Sequence, residues 1–164
     1  MGETKDALQQ AYAGEAKAAL RLKVYAEKAE AEGFPQIAKL FRVIARSEEI
    51  HGTRALKVLK EVKTTEENLA ESFEAEQGVA SVAYAEFVRQ AEAEGNRAAA
   101  LHFSQSKDVE ETHAKLYKEA MNHLMEERET TYHVCLVCGY IADGILPEVC
   151  PVCGADQKQF TQFA

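Results

Sequence analysis

Two Glu-x-x-His steps, Glu48-Glu-Ile-His51 and Glu110-Glu-Thr-His113, recur 62 residues apart in this chain (48 to 110, 51 to 113). Residues three apart on a helix share a face, so the Glu and His of each step can grip one ion together. A second pair of segments keeps the same offset: Ala29-Glu-Ala-Glu-Gly33 returns as Ala91-Glu-Ala-Glu-Gly95. A repeat of this length makes each half one supersecondary unit that buries its apolar face against another. Apolar spacing predicts helices over 5–32, 35–62, 64–95 and 96–128. Gly33 and Gly95 stop the first and third, Pro35 opens the second, and Thr64-Thr-Glu-Glu67 reads as a capping box for the third. Two helical hairpins predict an all-α four-helix bundle. The link between its second and third helices is short for a crossover along the bundle. Either an extended stretch over 62–68 spans it, or two subunits exchange hairpins.

The carboxylates lie in phase with the apolar stripes. The second helix reads Ile37, Leu40, Phe41, Ile44, then Glu48 and His51, then Ala55 and Val58. On the first, Glu15 follows Leu8, Ala11 and Tyr12. On the third, Glu76 follows Leu69 and Phe73 and precedes Ala80, and on the fourth Glu110 and His113 follow Phe103 and Ser106. Each helix therefore points one carboxylate inward, and two add a histidine. Four unpaired carboxylates in a core cost more than folding can supply. Protons or cations must neutralise them, and two divalent ions balance the charge. This ligand set is that of di-iron and di-manganese carboxylate bundles, and it suits iron or manganese better than a structural zinc site. Glu49 and Glu111, one position over, read as solvated charges. His102 and His123 read as ordinary helix residues, and His133 as a surface residue beside the cysteines.

Composition changes after residue 129. All four cysteines and two of the three prolines fall within 130–164, without helical periodicity. Cys135-Leu-Val-Cys138-Gly and Cys150-Pro-Val-Cys153-Gly are two knuckles that predict a four-thiolate metal site. About 35 residues hold no fold by core alone, so metal supplies much of the stability. Tyr132, Tyr140 and Phe160 are candidates for a minimal core around it. Zinc and a single iron both suit a tetrahedron of thiolates, and disulfides are a third reading. Residues 1–129 and 130–164 are the expected domains.

A net charge of −8 argues against nucleic acid or an anionic membrane as partner. No apolar run approaches the ~20 residues of a membrane helix. The start, Met1-Gly-Glu-Thr-Lys-Asp, has no signal-peptide character, so a cytoplasmic location is expected.

With both sites placed, the chain resembles the rubrerythrins. The match is carried by Ala13-Gly-Glu15, Glu48-x-x-His51, Glu76, Glu110-x-x-His113 and the paired Cys-x-x-Cys knuckles. The resemblance implies a ferritin-like bundle fused to a rubredoxin-like domain. It implies a di-iron centre held by Glu15, Glu48, His51, Glu76, Glu110 and His113, with Glu48 and Glu110 as bridges, and one iron on Cys135, Cys138, Cys150 and Cys153. Tyr84 falls where a family tyrosine donates a hydrogen bond to the cluster. There are two departures. Val79 stands where relatives carry a further Glu, which puts in question the redox-linked iron movement that such a Glu supports. Leu22 stands where many relatives have tyrosine.

The implied activity is reduction of hydrogen peroxide to water in oxidative stress defence. Electrons would be relayed through the cysteine-bound iron from a separate NAD(P)H-dependent rubredoxin reductase or a rubredoxin, since the chain has no dinucleotide fingerprint. In the family the cysteine domain serves a neighbouring subunit, which implies a homodimer or larger homo-oligomer. Two rivals stand beside this reading. One is a ferritin-like ferroxidase, oxidase or iron-handling protein. The other is a non-catalytic module with zinc on the cysteines.

Overall fold

The computed structural model describes residues 2–124 and 130–163, apart from the side chains of 80 and 81. Five α-helices and three short strands follow one another along the chain. They are α1 (Glu3–Ala31), α2 (Pro35–Val58), α3 (Thr65–Gly78), α4 (Tyr84–Ala93), α5 (Arg97–Asn122), β1 (Tyr132–Cys135), β2 (Ile141–Asp143) and β3 (Phe160–Phe163). The protein is thus mostly helical with a small strand-built segment carrying the four cysteines. It divides into two compact units, Met1–Lys63 and Thr64–Ala164.

The first unit is the α1–α2 hairpin. Its turn is a Schellman cap: the Phe34 N–H donates to the Ala29 carbonyl at 2.8 Å and the Gly33 N–H to Glu30 at 3.0 Å. Gly33 sits at φ 81°, a left-handed conformation in which a Cβ is strained. Ala26, Ala29 and Ala38 form the buried seam, with Phe41 packed against it. Small residues let the two backbones approach closely. A two-helix hairpin buries only one seam. Ile37, Leu40 and Ile44, expected in the core, therefore stay largely exposed here, with Phe41 alone of that group partly buried.

The second unit repeats the cap in kind. The Asn96 N–H donates to Ala91 at 2.8 Å, the Gly95 N–H donates to Glu92 at 3.0 Å, and Gly95 lies at φ 69°. Asn96 then caps α5 by accepting from the Ala99 N–H. The capping box starts α3 as expected, with Thr64 and Glu67 exchanging hydrogen bonds. The third predicted helix is not continuous α, however. A π-helical stretch, Val79–Ala83, separates α3 from α4. The second helix ends at Val58 rather than 62, where Lys60 turns left-handed at φ 58°. The α5 helix ends at Asn122, and the expected run from 125 to 128 and the boundary at 129 lie outside the described residues. Tyr84, Phe87 and Phe103 stack into an aromatic cluster between α4 and α5, with Phe87 and Phe103 centroids 5.4 Å apart.

The strands form an antiparallel ribbon in the order β2-β1-β3, with Cys135 opposite Phe160. His133 is buried here rather than at the surface (8 % exposed). Side chains two apart on a strand share a face, so His133 follows Cys135 inward. The aromatic core expected around the cysteines is partial: Tyr140 and Phe160 are half-buried and Tyr132 is exposed.

Candidate metal centres

Each hairpin assembles one triad. On the first, Glu15 of α1 meets Glu48 and His51 of α2, and on the second, Glu76 of α3 meets Glu110 and His113 of α5. Within each triad one donor atom per residue lies within 4.8 Å of the others. His51 Nδ1 is 3.3 Å from Glu48 Oε2 and 3.8 Å from Glu15 Oε1. His113 Nδ1 is 2.9 Å from Glu110 Oε2 and 4.0 Å from Glu76 Oε1. Buried Gly52, one residue past His51, lies flat against α1, and a Cβ there would sit 3.6 Å from Glu15 Cβ.

Neighbouring carboxylates show what separates a ligand from a surface charge. Glu49 pairs with Lys23 and Arg46, and Glu111 with Lys107. The ion pairs of Glu15, Glu48, Glu76 and Glu110 run instead to the two histidines. Lacking a lysine or arginine in those pairs, the ligand carboxylates lean on each other's protons. The Glu15 carboxyl is raised above the ordinary range by its hydrogen bond with Glu48, then by burial and by the Glu48 charge, while that same bond lowers Glu48. Glu76 is raised by burial first, then by its hydrogen bond with Glu110. His113 Nε2 is buried without a hydrogen-bond partner. Three converging donors that must share protons fit a cation, and an oxygen-rich set with one imidazole fits iron or manganese.

A pH dependence follows. A carboxylate with a raised folded pKa supports the fold at low pH and withdraws that support as pH rises through the raised value. Above the ordinary value of 4.5, ionised Glu15 and Glu76 therefore weigh against the metal-free fold. The rise in Tm produced by Mn2+ or Fe2+ should consequently grow from pH 4 to pH 7, because metal replaces the shared protons. A metal-induced rise that is constant across that range would refute proton–metal competition.

The cysteines form a closed cage. Cys135 Sγ lies 3.7 Å from Cys153 Sγ, and Cys138 Sγ lies 3.6 Å from Cys150 Sγ. A tetrahedron of sulfurs at about 2.3 Å from a metal has edges of about 3.8 Å. A disulfide needs about 2.05 Å, and all four thiols are free. The disulfide reading therefore fails, and four-thiolate metal ligation fits. Each knuckle is closed the same way. The Gly139 N–H donates to the Cys135 carbonyl and the Gly154 N–H to the Cys150 carbonyl, both at 2.9 Å, with the glycines at φ 84° and 74°. Burial raises the Cys138 and Cys153 thiols, while at Cys150 the N–H groups of Cys153 and Val152 outweigh burial and lower it. The cage thus tends to hold a thiolate even without metal.

The remaining expectations divide. Tyr84 opens α4 just after the π-helical stretch, with its ring against Phe87 and Phe103. His102 is exposed on α5 and His123 ends that helix, both as ordinary helix residues. Sequence reasoning missed the π-helical stretch, Gly52, and the contact of Val109 with Gly139. The first had a signal. Glu15 precedes Ala29 by 14 residues, whereas Glu76 precedes the equivalent Ala91 by 15. One extra residue is what a π-bulge absorbs.

Paired helices with carboxylate–histidine triads, followed by a four-cysteine ribbon, define a non-haem metalloprotein of the iron-carboxylate class with a fused thiolate centre. Residues 6–121 match the rubrerythrin family and residues 133–161 match the rubrerythrin rubredoxin-like domain. The chain belongs to the rubrerythrin family. It is 31% identical to nigerythrin of Nitratidesulfovibrio vulgaris over 99% of this chain and 88% of that protein. It is 29% identical to rubrerythrin-2 of Clostridium acetobutylicum, over 98% and 96% respectively. Structures of nigerythrin in mixed-valence and all-ferrous states each give a TM-score of 0.60, covering 99% of this chain and 88% of theirs.

Proposed function

We propose that the protein is a cytoplasmic non-haem iron peroxidase, with a bundle over 1–129 and an electron-relay domain over 130–164. The observation that carries this reading is the four-thiolate cage fused to two carboxylate–histidine triads. A relay centre has a use in multiple-turnover reduction and none in iron storage. In this reading Glu15, Glu48, His51, Glu76, Glu110 and His113 together hold two irons, with Glu48 and Glu110 bridging. The bound iron pair supplies two electrons to hydrogen peroxide, which takes up two protons and becomes two waters. The chain's own residues position the ligands and handle protons. Glu15 and Glu76, the carboxyls with raised affinity for protons, are the ones to hold a proton beside the substrate when a ligand oxygen is freed. Tyr84 acts as a hydrogen-bond donor toward the cluster, and its stacking on Phe87 and Phe103 fixes its ring. The cysteine cage holds one iron, refilled with electrons by a separate NAD(P)H-linked reductase or a rubredoxin. The assembly is a homodimer or larger.

Anaerobically reduced protein should be reoxidised rapidly by stoichiometric hydrogen peroxide and much more slowly by dioxygen. Cys150→Ser should abolish multiple turnover and leave the first reoxidation intact. The oxidase reading draws on Val79, which gives no carboxylate at the helix position three after Glu76. Faster reaction with dioxygen than with peroxide would establish that reading in place of the peroxidase.

A further inference from the structure

Val109 is among the few buried side chains of α5, at 4 % exposed. It precedes ligand Glu110 and lies four residues before ligand His113, hence on the same helix face as that imidazole. What approaches it is the first cysteine knuckle. A Cβ at Gly139 would sit 3.9 Å from Val109 Cγ1, and Gly139 directly follows Cys138. The β2 strand also contacts α5. A second observation agrees: one cavity of about 600 Å3 is walled by Glu76 and His113 on one side and by Val134, Ile141 and Phe163 of the ribbon on the other. The ribbon and the Glu76–Glu110–His113 triad, both in the Thr64–Ala164 unit, therefore face one another within a single chain.

We propose that the cysteine site of each chain serves the Glu76–Glu110–His113 triad of the same chain, across the contact of Gly139 with Val109. This departs from the family arrangement, in which the cysteine domain serves a neighbour. It rests on the electron-relay role proposed above. Each transfer moves one electron from ferrous iron on the cysteines to ferric iron on the carboxylates, and no bond is made or broken. Two transfers match the two electrons that one peroxide takes up with two protons. An external one-electron donor restores the cysteine iron. Val109 and Gly139 are positioning residues: they touch neither substrate nor metal and set the approach of the two sites.

Pairing can be read without turnover. Full-length chains carrying 13C-methyl valine and zinc on the cysteines are refolded with an excess of unlabelled chains carrying ferric iron there. Own-chain pairing predicts that the Val109 methyl signals, assigned by their loss in Val109→Ala, stay sharp in the mixture. They should broaden beyond detection when the labelled chain carries its own ferric iron. Broadening in the mixture would overturn the proposal in favour of a partner's cysteine site. A second variant, Val109→Lys, should slow reoxidation of the visible band of the cysteine-bound iron after one equivalent of peroxide, with the oxidation of the carboxylate-bound iron unchanged. An unchanged band rate would overturn the Gly139–Val109 route. Failure of peroxide to oxidise either centre would sink the peroxidase reading, whereas the methyl experiment uses no oxidant and still decides the pairing.

Discussion

Deleting Val82 should leave iron binding by the bundle intact, whereas deleting Leu20 should abolish it. Both side chains are exposed, at 70 % and 67 %, so neither deletion removes core volume. They differ in register. Leu20 lies between Glu15 and the α1 turn in continuous α-helix. Its loss turns everything before it by about 100° and draws it in by about 1.5 Å. Glu15 then no longer faces Glu48 and His51, and the two pairings of His51 reduce to one. Val82 lies inside the π-helical stretch Val79–Ala83, where one residue already exceeds the α-helical count. Removing it makes the third helix continuous and sets the Glu76-to-Ala91 spacing to the 14 residues of the first hairpin. Glu76 keeps its face, and replacing the bulge by regular α-helix should hold or raise Tm. Iron per chain and thermal melting measure both. Equal loss of iron in the two deletions would show that the π-helical stretch does not compensate for the extra residue.

The ligands were legible because their chemistry repeats at fixed spacing. Glu48–His51 and Glu110–His113 needed only the helical period and the 62-residue offset. The hairpin turns were legible for a local reason: Gly33 and Gly95 are left-handed caps, and the Thr64–Glu67 box is satisfied by backbone within one turn. Features that depend on tertiary contact were not legible. Ile37, Leu40 and Ile44 have the spacing of a core stripe, yet a stripe only says which face is apolar and not what covers it. His133 was misread because imidazole is usually exposed, although its position two before Cys135 on a strand carried the opposite information. The extra residue between Glu76 and Ala91 was visible, but the matching offsets of the Glu-x-x-His steps masked the one-residue mismatch. Val109 looks like any aliphatic residue on α5, and only its approach to Gly139 marks it.

Stripping the metal from the cysteine site should unfold the ribbon and leave the α1–α2 hairpin helical. Among its described residues, the ribbon buries only His133, Cys135, Ala142 and Cys150, and the only fully buried side chains are the two cysteines. Its hydrophobic core is thus largely its own ligands. A segment below about 40 residues rarely folds without metal or disulfide support. Structural zinc contributes about 10–16 kcal/mol in small thiolate and histidine sites, far above what an alanine-sized core supplies. Without metal, the raised Cys138 and Cys153 thiols lie packed beside a Cys150 held low by the knuckle N–H groups, with no cation to balance the thiolate. Amide exchange should therefore lose protection at Val134 and Cys135 on chelation, while amides of α2 near Ala38 and Ala45 keep theirs. Protection that survives complete metal removal would refute the metal as the ribbon's core. Zinc in place of iron separates the two roles of the site. It should restore the amide protection, because the four-thiolate cage closes as well on zinc, and should leave multiple turnover with peroxide at the level of Cys150→Ser, because zinc carries no electron.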